Sequence, residues 1–301
     1  MSDARYHVRH KTIYGYSLPV TLSHHLARLK PRETIHQHIS AAVVTVDPEP
    51  AFITNDRDAY GNRTTFFIAE TPHTSMTVTS EFTAEITAPE LPEAAGTVSW
   101  EKTRDILSVP GTPALLEAAR MAYPSVFIPP PSDEIKAYAA RSLAPGRPVL
   151  EAAEDLMHRI FADFIYDPAA TSIATPVNDV LRLRRGVCQD FAHLAIAGLR
   201  SHGLAARYVS GYIRTCRSEP VSQAADIEMI GGDASHAWFA VYVPGFGWVD
   251  LDPTNNMYVQ SEHITVGWGR DFDDMSPIKG VMTGGGRHTV TVDVSVRPLP
   301  T

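Results

Sequence analysis

The 301-residue chain contains only two cysteines, Cys188 and Cys216, which is too few for a disulfide framework. Both thiols are expected to be reduced, and the cytoplasm is the simplest address. No run of about 18 apolar residues occurs, so no membrane-spanning helix is expected. The N-terminal MSDARYHVRHKTIYGY is polar throughout, without the apolar stretch of a secretory signal, and none is expected. Basic excess is also lacking: 26 Lys and Arg stand against 34 Asp and Glu, a net charge of -8. That balance disfavours sequence-independent nucleic-acid binding and docking on anionic membranes, which both need cationic surfaces. No HExxH motif and no close cysteine pair occurs, although there are 13 histidines. His24, His25, His36 and His38 are therefore read as solvated or hydrogen-bonded strand residues, and neither metal nor cofactor is expected.

What is present is ordinary globular material, 44% hydrophobic and 20% charged, enough for about two domains. Residues 1–90 read as a β-rich N-terminal domain. Tyr6, Val8 and His10 alternate with Arg9 and Lys11 at the period of a strand. Similar segments run over 35–46, 64–69 and 76–86, separated by the turn signals DPEP, DAYGN and TPH. Short strands at this spacing suggest a sandwich-like antiparallel unit. Residues 91–165 read as a linker and helical segment, with helices over 113–123, 132–143 and 151–164. Ser132 before Asp133 and Glu134 is an N-cap signal. Residues 166–301 read as the core: a helix over 188–202 stopped at Gly203, strands over 206–213, 236–243 and 247–252, and a C-terminal strand over 288–298. The fold class is α+β.

Three segments carry chemistry: RRGVCQDFAHL (184–194), DASHAWFAVYVPGFGWV (233–249) and DLDPTN (250–255). Cys188 opens a helix, where unpaired N–H groups and the helix dipole favour a thiolate and can donate to an oxyanion. Gly186 permits either a close backbone approach or a turn with positive φ. His236 begins a strand and Asp252 ends the next. Side chains alternate faces, so hairpin register decides whether the two can meet. A three-residue loop (244–246) pairs Val243 with Gly247 and puts Asp252 opposite Trp238, diagonal to His236 on the same face. A four-residue loop puts them on opposite faces. Diagonal neighbours lie within about 7–8 Å, which His and Asp can bridge. Nucleophile, base and orienting carboxylate would then be complete.

In that order the residues resemble the transglutaminase-like superfamily, and most closely its bacterial branch of transglutaminase-like enzymes and cysteine proteases. GVCQDFAHL, GLAARYVSGY, DASHAWFAVYVPGFGWVDLDPTN and HITVGWGRDFDDMSPIKG carry the resemblance in the core. YHVRHKTIYGY, SHHLARLKPR and DAYGN carry it to the bacterial transglutaminase-like N-terminal region. The resemblance implies a papain-like core with catalytic Cys188, His236 and Asp252, acting on a peptide or protein amide through an acyl-enzyme. Hydrolysis is the expected outcome. Transfer of a Gln carboxamide acyl group to an amine, or a binding role without catalysis, are the alternatives. Animal cross-linking enzymes stabilise the oxyanion with an upstream Trp. No Trp stands between Trp100 and Cys188 here, so the second oxyanion donor is unassigned.

Other residues near these motifs have plainer readings. Asp190 is expected to favour the helix dipole, and Trp238 and Trp248 to pack the hairpin. Arg184 and Arg185 read as a solvated helix end, and Asp233 and Ser235 as ordering the loop of His236. Tyr212 and Asp250 are consistent with packing or with substrate contact. Cys216 reads as an incidental thiol.

Overall fold

The computed structural model describes residues 4–214, 229–230 and 235–300. Cys216 and Asp233 lie outside the described residues. The chain begins with five strands: β1 (Ala4–Ala27), β2 (Gln37–Asp47), β3 (Phe52–Arg57), β4 (Arg63–Ala69) and β5 (His73–Ile86). They lie in the order β2-β5-β1-β4-β3, all antiparallel. The expected alternation is realised in β1, where Tyr6, Val8, His10 and Thr12 are all buried. β3 carries no such signal, because every one of its residues is exposed. It forms by pairing edge-on with β4 from Phe52–Ile68 to Arg57–Arg63.

Four helices follow: α1 (Trp100–Ser108), α2 (Pro113–Arg120), α3 (Asp133–Ala140) and α4 (Val149–Asp163). Hydroxyl caps start the first three. Ser99, Thr112 and Ser132 accept from the N–H groups of Lys102, Leu115 and Ile135 at 3.3, 3.2 and 3.3 Å. Next come β6 (Ile165–Tyr166), α5 (Val177–Leu183), β7 (Arg185–Gly186) and α6 (Cys188–Arg200). The second sheet contains β8 (Ala206–Ile213), β9 (His236–Val243), β10 (Gly247–Asp252), β11 (Met257–Tyr258) and β12 (His263–Gly269), in the order β11-β10-β9-β8-β12.

The main core lies between this sheet and the helices. Leu194, Ala195 and Leu199 of α6 share it with Phe239 and Val241 of β9, and with Leu156 and Ile160 of α4 and Ile135 of α3. Each large side chain fully buried there contributes roughly 1.5–3 kcal/mol. α3 and α4 are therefore walls of the core. The boundary expected at 165–166 runs through one hydrophobic cluster, since a helix's apolar stripe does not say what will cover it.

A second correction concerns the C-terminus. After α7 (Phe272–Met275), β13 (Ile278–Gly284) and β14 (His288–Pro298) leave the core. β13 pairs with residues 20–27 of β1, and β14 with residues 6–16. The C-terminal strand assigned to the core thus completes the first sheet. β1 is long enough to serve two halves, one flanked by β5 and β14 and the other by β4 and β13. Alternation identifies a strand but not its partner.

The two regions share apolar surface. Tyr6, Val8, Phe82 and Val294 pack with Tyr212, Ile264 and Val266 of the second sheet. Two side-chain amides from the first region bond to the β12 backbone as a neighbouring strand would. Gln37 exchanges bonds with both backbone groups of Thr265 at 2.8 Å. Asn62 donates to the Trp268 carbonyl at 2.8 Å and accepts from its N–H at 3.0 Å. These pairs satisfy an edge that would otherwise expose backbone groups. Among the described residues, no helix is long and apolar enough to cross a membrane.

Candidate active site

Local chemistry explains how Cys188 comes to open α6. The carboxylate of Asp190, two residues on, accepts from the Val187 N–H at 2.9 Å and from the Thr171 hydroxyl at 2.6 Å. It thereby ties the loop before α5 to the start of the helix. Asp190 is only 3% exposed, and burial pushes its carboxyl up against the opposing pull of these two bonds. Its expected role toward the helix dipole is joined by this capping. Gly186 does not take a positive φ. A Cβ there would lie 2.6 Å from an Asp190 carboxylate oxygen, so glycine is required for close approach.

The hairpin has the three-residue register. Val243 pairs with Gly247 and Leu251 with Phe239, which sets Asp252 opposite Trp238. Gly245 at φ 86° and Gly247 at φ 114° supply the left-handed turn conformations that the loop needs. His236 and Asp252 meet on one face, with His236 Nε2 to Asp252 Oδ2 at 2.8 Å and both side chains wholly buried. The same diagonal step recurs one pair along, where the Trp238 indole N–H donates to Asp250 at 3.0 Å.

Because Nε2–H is held by Asp252, the neutral ring carries its lone pair on Nδ1. Among the described residues, buried Nδ1 meets no hydrogen-bond partner. Burial alone would push the His236 imidazole down. The Asp252 carboxylate, and after it the Cys188 thiol, instead raise it to about 10. Cys188, 8% exposed at the helix start, is thus within electrostatic reach of the ring. Burial pushes the Asp252 carboxyl up. The His236 charge and the hydrogen bonds from two imidazoles outweigh that and hold it well below the usual carboxylate range.

The second imidazole is His263, which sequence reasoning missed. Its Nε2 lies 3.2 Å from Asp252 Oδ2. Asn255 Nδ2 donates to the same oxygen at 2.7 Å, while the Thr254 and Asn255 N–H groups donate to Oδ1 at 2.9 and 3.3 Å. The carboxylate is fully hydrogen-bonded, as a buried charge must be. Trp238 stands edge-on to His263 at 5.3 Å and walls the cluster. The available signal was a histidine at the head of the apolar run HITVGWG, the same placement as His236 at the head of HAWFAVYV.

Among the described residues, His236, Asp252 and His263 are the one set of three side chains close enough to share a metal ion. Their hydrogen bonds already account for the clustering. His24, His25, His36 and His38 form no such set, but they are not uniformly solvated either. His25 is 4% exposed, stacks on Phe67 at 4.8 Å, and among the described residues leaves Nε2 unpartnered. Tyr212 is buried, with its hydroxyl on His10 Nδ1 at 2.9 Å, so it joins the two regions rather than lining a cleft. Trp238 and Trp248 pack the hairpin, Trp248 against Tyr242 and under the Arg207 guanidinium. Arg184 and Arg185 lie at the surface beside Asp163 and Asp167 at 3.6 and 3.1 Å.

The arrangement offers a thiol at a helix N-terminus, an imidazole with one free nitrogen beside it, and a carboxylate that orients the ring. Comparison with known proteins places the chain among relatives. Residues 136–253 match the transglutaminase-like superfamily, and residues 6–85 match the bacterial transglutaminase-like N-terminal region. An uncharacterized protein of Mycobacterium tuberculosis is 40% identical, covering 98% of this chain and 93% of its own length. One from Mycobacterium leprae is 31% identical over 98% and 99%. A crystal structure described as a putative cysteine protease from Cytophaga hutchinsonii aligns over 100% of this chain and 92% of its own, with TM-score 0.74 and 19% identity. That last likeness establishes the fold.

Proposed function

Because the chain belongs to the transglutaminase-like superfamily, we propose that it is a cysteine-dependent hydrolase that cleaves a peptide or amide bond through an acyl-enzyme on Cys188. The observation that carries this reading is the wholly buried His236–Asp252 pair at 2.8 Å, which leaves Nδ1 unspent beside the thiol. An imidazole tied to a buried carboxylate is stabilised as imidazolium, the partner that a thiolate nucleophile needs.

Sγ attacks the carbonyl carbon, the S–C bond forms, and the oxygen takes the negative charge. The Cys188 N–H, which has no acceptor within α6, is one donor to that oxyanion. As the intermediate collapses the C–N bond breaks, and His236 gives its proton to the departing nitrogen. The neutral ring then takes a proton from water, hydroxide adds to the thioester, and the S–C bond breaks to release the acid. Asp252 keeps Nε2 protonated throughout and stabilises the imidazolium. A primary amine in place of water would turn the same cycle into acyl transfer. Scarce cysteine is the support for a cytoplasmic site of action in this proposal.

The test treats wild type and Cys188→Ala with a library of amide and peptide substrates, with and without a primary amine, and follows adducts by intact mass. A Cys188-dependent acyl adduct that turns over to acid is expected. Amine-dependent product would replace hydrolysis by acyl transfer. No adduct, together with a thiol that iodoacetamide does not label, would replace catalysis by a binding role.

A further inference from the structure

The oxyanion of the proposed cycle has one evident donor, the Cys188 N–H, and preorganised oxyanion sites use at least two. The upstream tryptophan of animal cross-linking enzymes has no counterpart here. The short parallel pair β6–β7 brings another side chain to the same place. Its register sets Tyr166 opposite Gly186, two residues before the nucleophile, and the Asp167 N–H bonds the Gly186 carbonyl at 2.9 Å. On its other side the Tyr166 ring meets Phe191 edge-on at 6.5 Å, one helical turn past Cys188. Tyr166 is therefore pinned from both flanks of the thiol.

Two other tyrosine hydroxyls are spent. Tyr138 donates to Asp163 at 3.0 Å, and Tyr212 is paired with His10. Tyr208, whose phenol burial and then the Cys188 charge also push up, is only 3% exposed on the inner sheet against His193, less open to a bound acyl group than Tyr166. Tyr166 is half-buried, and among the described residues its hydroxyl makes no hydrogen bond. We propose that Tyr166 is the second oxyanion donor, its phenol O–H acting with the Cys188 N–H on the carbonyl oxygen of a bound acyl group.

A donor must keep its proton, and this one does. Burial, and then the charge of Cys188, push the Tyr166 phenol up to about 12. In the addition step the carbonyl π pair moves onto oxygen as Sγ–C forms, and Tyr166 shares its proton without giving it up. The collapse returns the pair and expels the leaving group.

The inference rests on the acyl-enzyme reading, and two reagents separate the two. Iodoacetamide alkylates Cys188 by displacement at a saturated carbon, so no oxyanion forms. p-Nitrophenyl acetate acylates it through a carbonyl addition. Both reactions are followed on wild type, Cys188→Ala and Tyr166→Phe, with intact mass for the adduct and p-nitrophenolate release for the rate. Tyr166→Phe keeps the ring on Phe191, and near-ultraviolet circular dichroism checks the packing. Acylation of Tyr166→Phe should fall about tenfold or more, with alkylation within about twofold of wild type. Equal losses in both reactions would overturn the inference in favour of a role on the thiol itself. No loss in either would overturn it outright. Wild type that alkylates at Cys188 but never acylates would overturn the acyl-enzyme reading, and this inference with it.

Discussion

The first sheet and the candidate active site both bury histidine, in opposite states of charge. In the first sheet His10 bridges the Tyr212 hydroxyl and the Thr12 hydroxyl, each at 2.9 Å. Burial pushes it down to about 4, against a weaker upward pull from Asp293. His25 is pushed to about 4 by burial and then by His73 and His24. Within the core itself His193 goes down to about 3, through burial and then Arg200. His236 is as deeply buried as any of these and moves up to about 10. Desolvation alone makes a buried imidazole neutral, and only a buried anion beside it reverses the sign. A neutral imidazole with two hydroxyl partners holds strands together at little cost. A buried ion pair is costly to keep, and it stands where the proposed cycle moves a proton.

The comparison is broken most directly by removing the anion. Asp252→Asn should drop His236 below its ordinary 6.5, toward the other buried histidines, and cut turnover by about 10²–10⁴. Imidazole NMR titration beside the rate measurement checks both halves. A His236 that still titrates near 10 in this variant would end the argument.

His263→Gln is a milder cut. It removes one of two imidazoles from Asp252 Oδ2 but leaves His236, Asn255 and two backbone N–H groups in place. Activity should fall by about three- to tenfold. Most of that should sit in the rate of the acyl steps rather than in substrate affinity, which a KM-against-kcat comparison resolves.

The smallest effect lies in stability against pH, with opposite signs for the histidines of the first sheet and for His236. His10 and His25 have folded values below 6.5, so the unfolded chain binds protons first as pH falls. Stability should therefore decline from about pH 6.5 toward 4 and level off below. His236 has a folded value above 6.5, so its contribution is complete below 6.5 and is lost as pH rises toward 10. His25→Asn should flatten the acid limb of a melting-temperature profile by a few degrees and leave the alkaline limb alone. His236→Asn should flatten the alkaline limb. Equal changes on both limbs in either variant would show that the assignment of charge states is wrong.

Much of the site is legible in the amino-acid sequence, because its parts are local. A glycine before a cysteine at a helix start, and a histidine and an aspartate on adjacent strands, sit within two short stretches of chain. Loop length alone fixed whether the last two could meet, and Val243 does pair with Gly247. Strands β8, β9, β10 and β14 match the expected bounds for the same reason, since each alternates or runs apolar without interruption. β3 and β12 were missed. Every residue of β3 is exposed, so nothing in it alternates. β12 is buried on both faces through most of its length and opens on a histidine.

The order of amino acids is enough to account for the α+β class, the Ser132 cap, the choice between two hairpin registers and the candidate nucleophile, base and carboxylate. All of these follow from contacts within a few residues or across one turn. Tertiary packing was needed to return β13 and β14 to β1, to make α3 and α4 walls of the core, and to have His263 share Asp252 with His236. It also set Tyr166 against Gly186. The physical reason is common to all four. Period and capping say which face of an element is apolar and where it ends. The partner that covers that face, or completes that edge, is chosen by the burial and backbone hydrogen bonds of the whole chain.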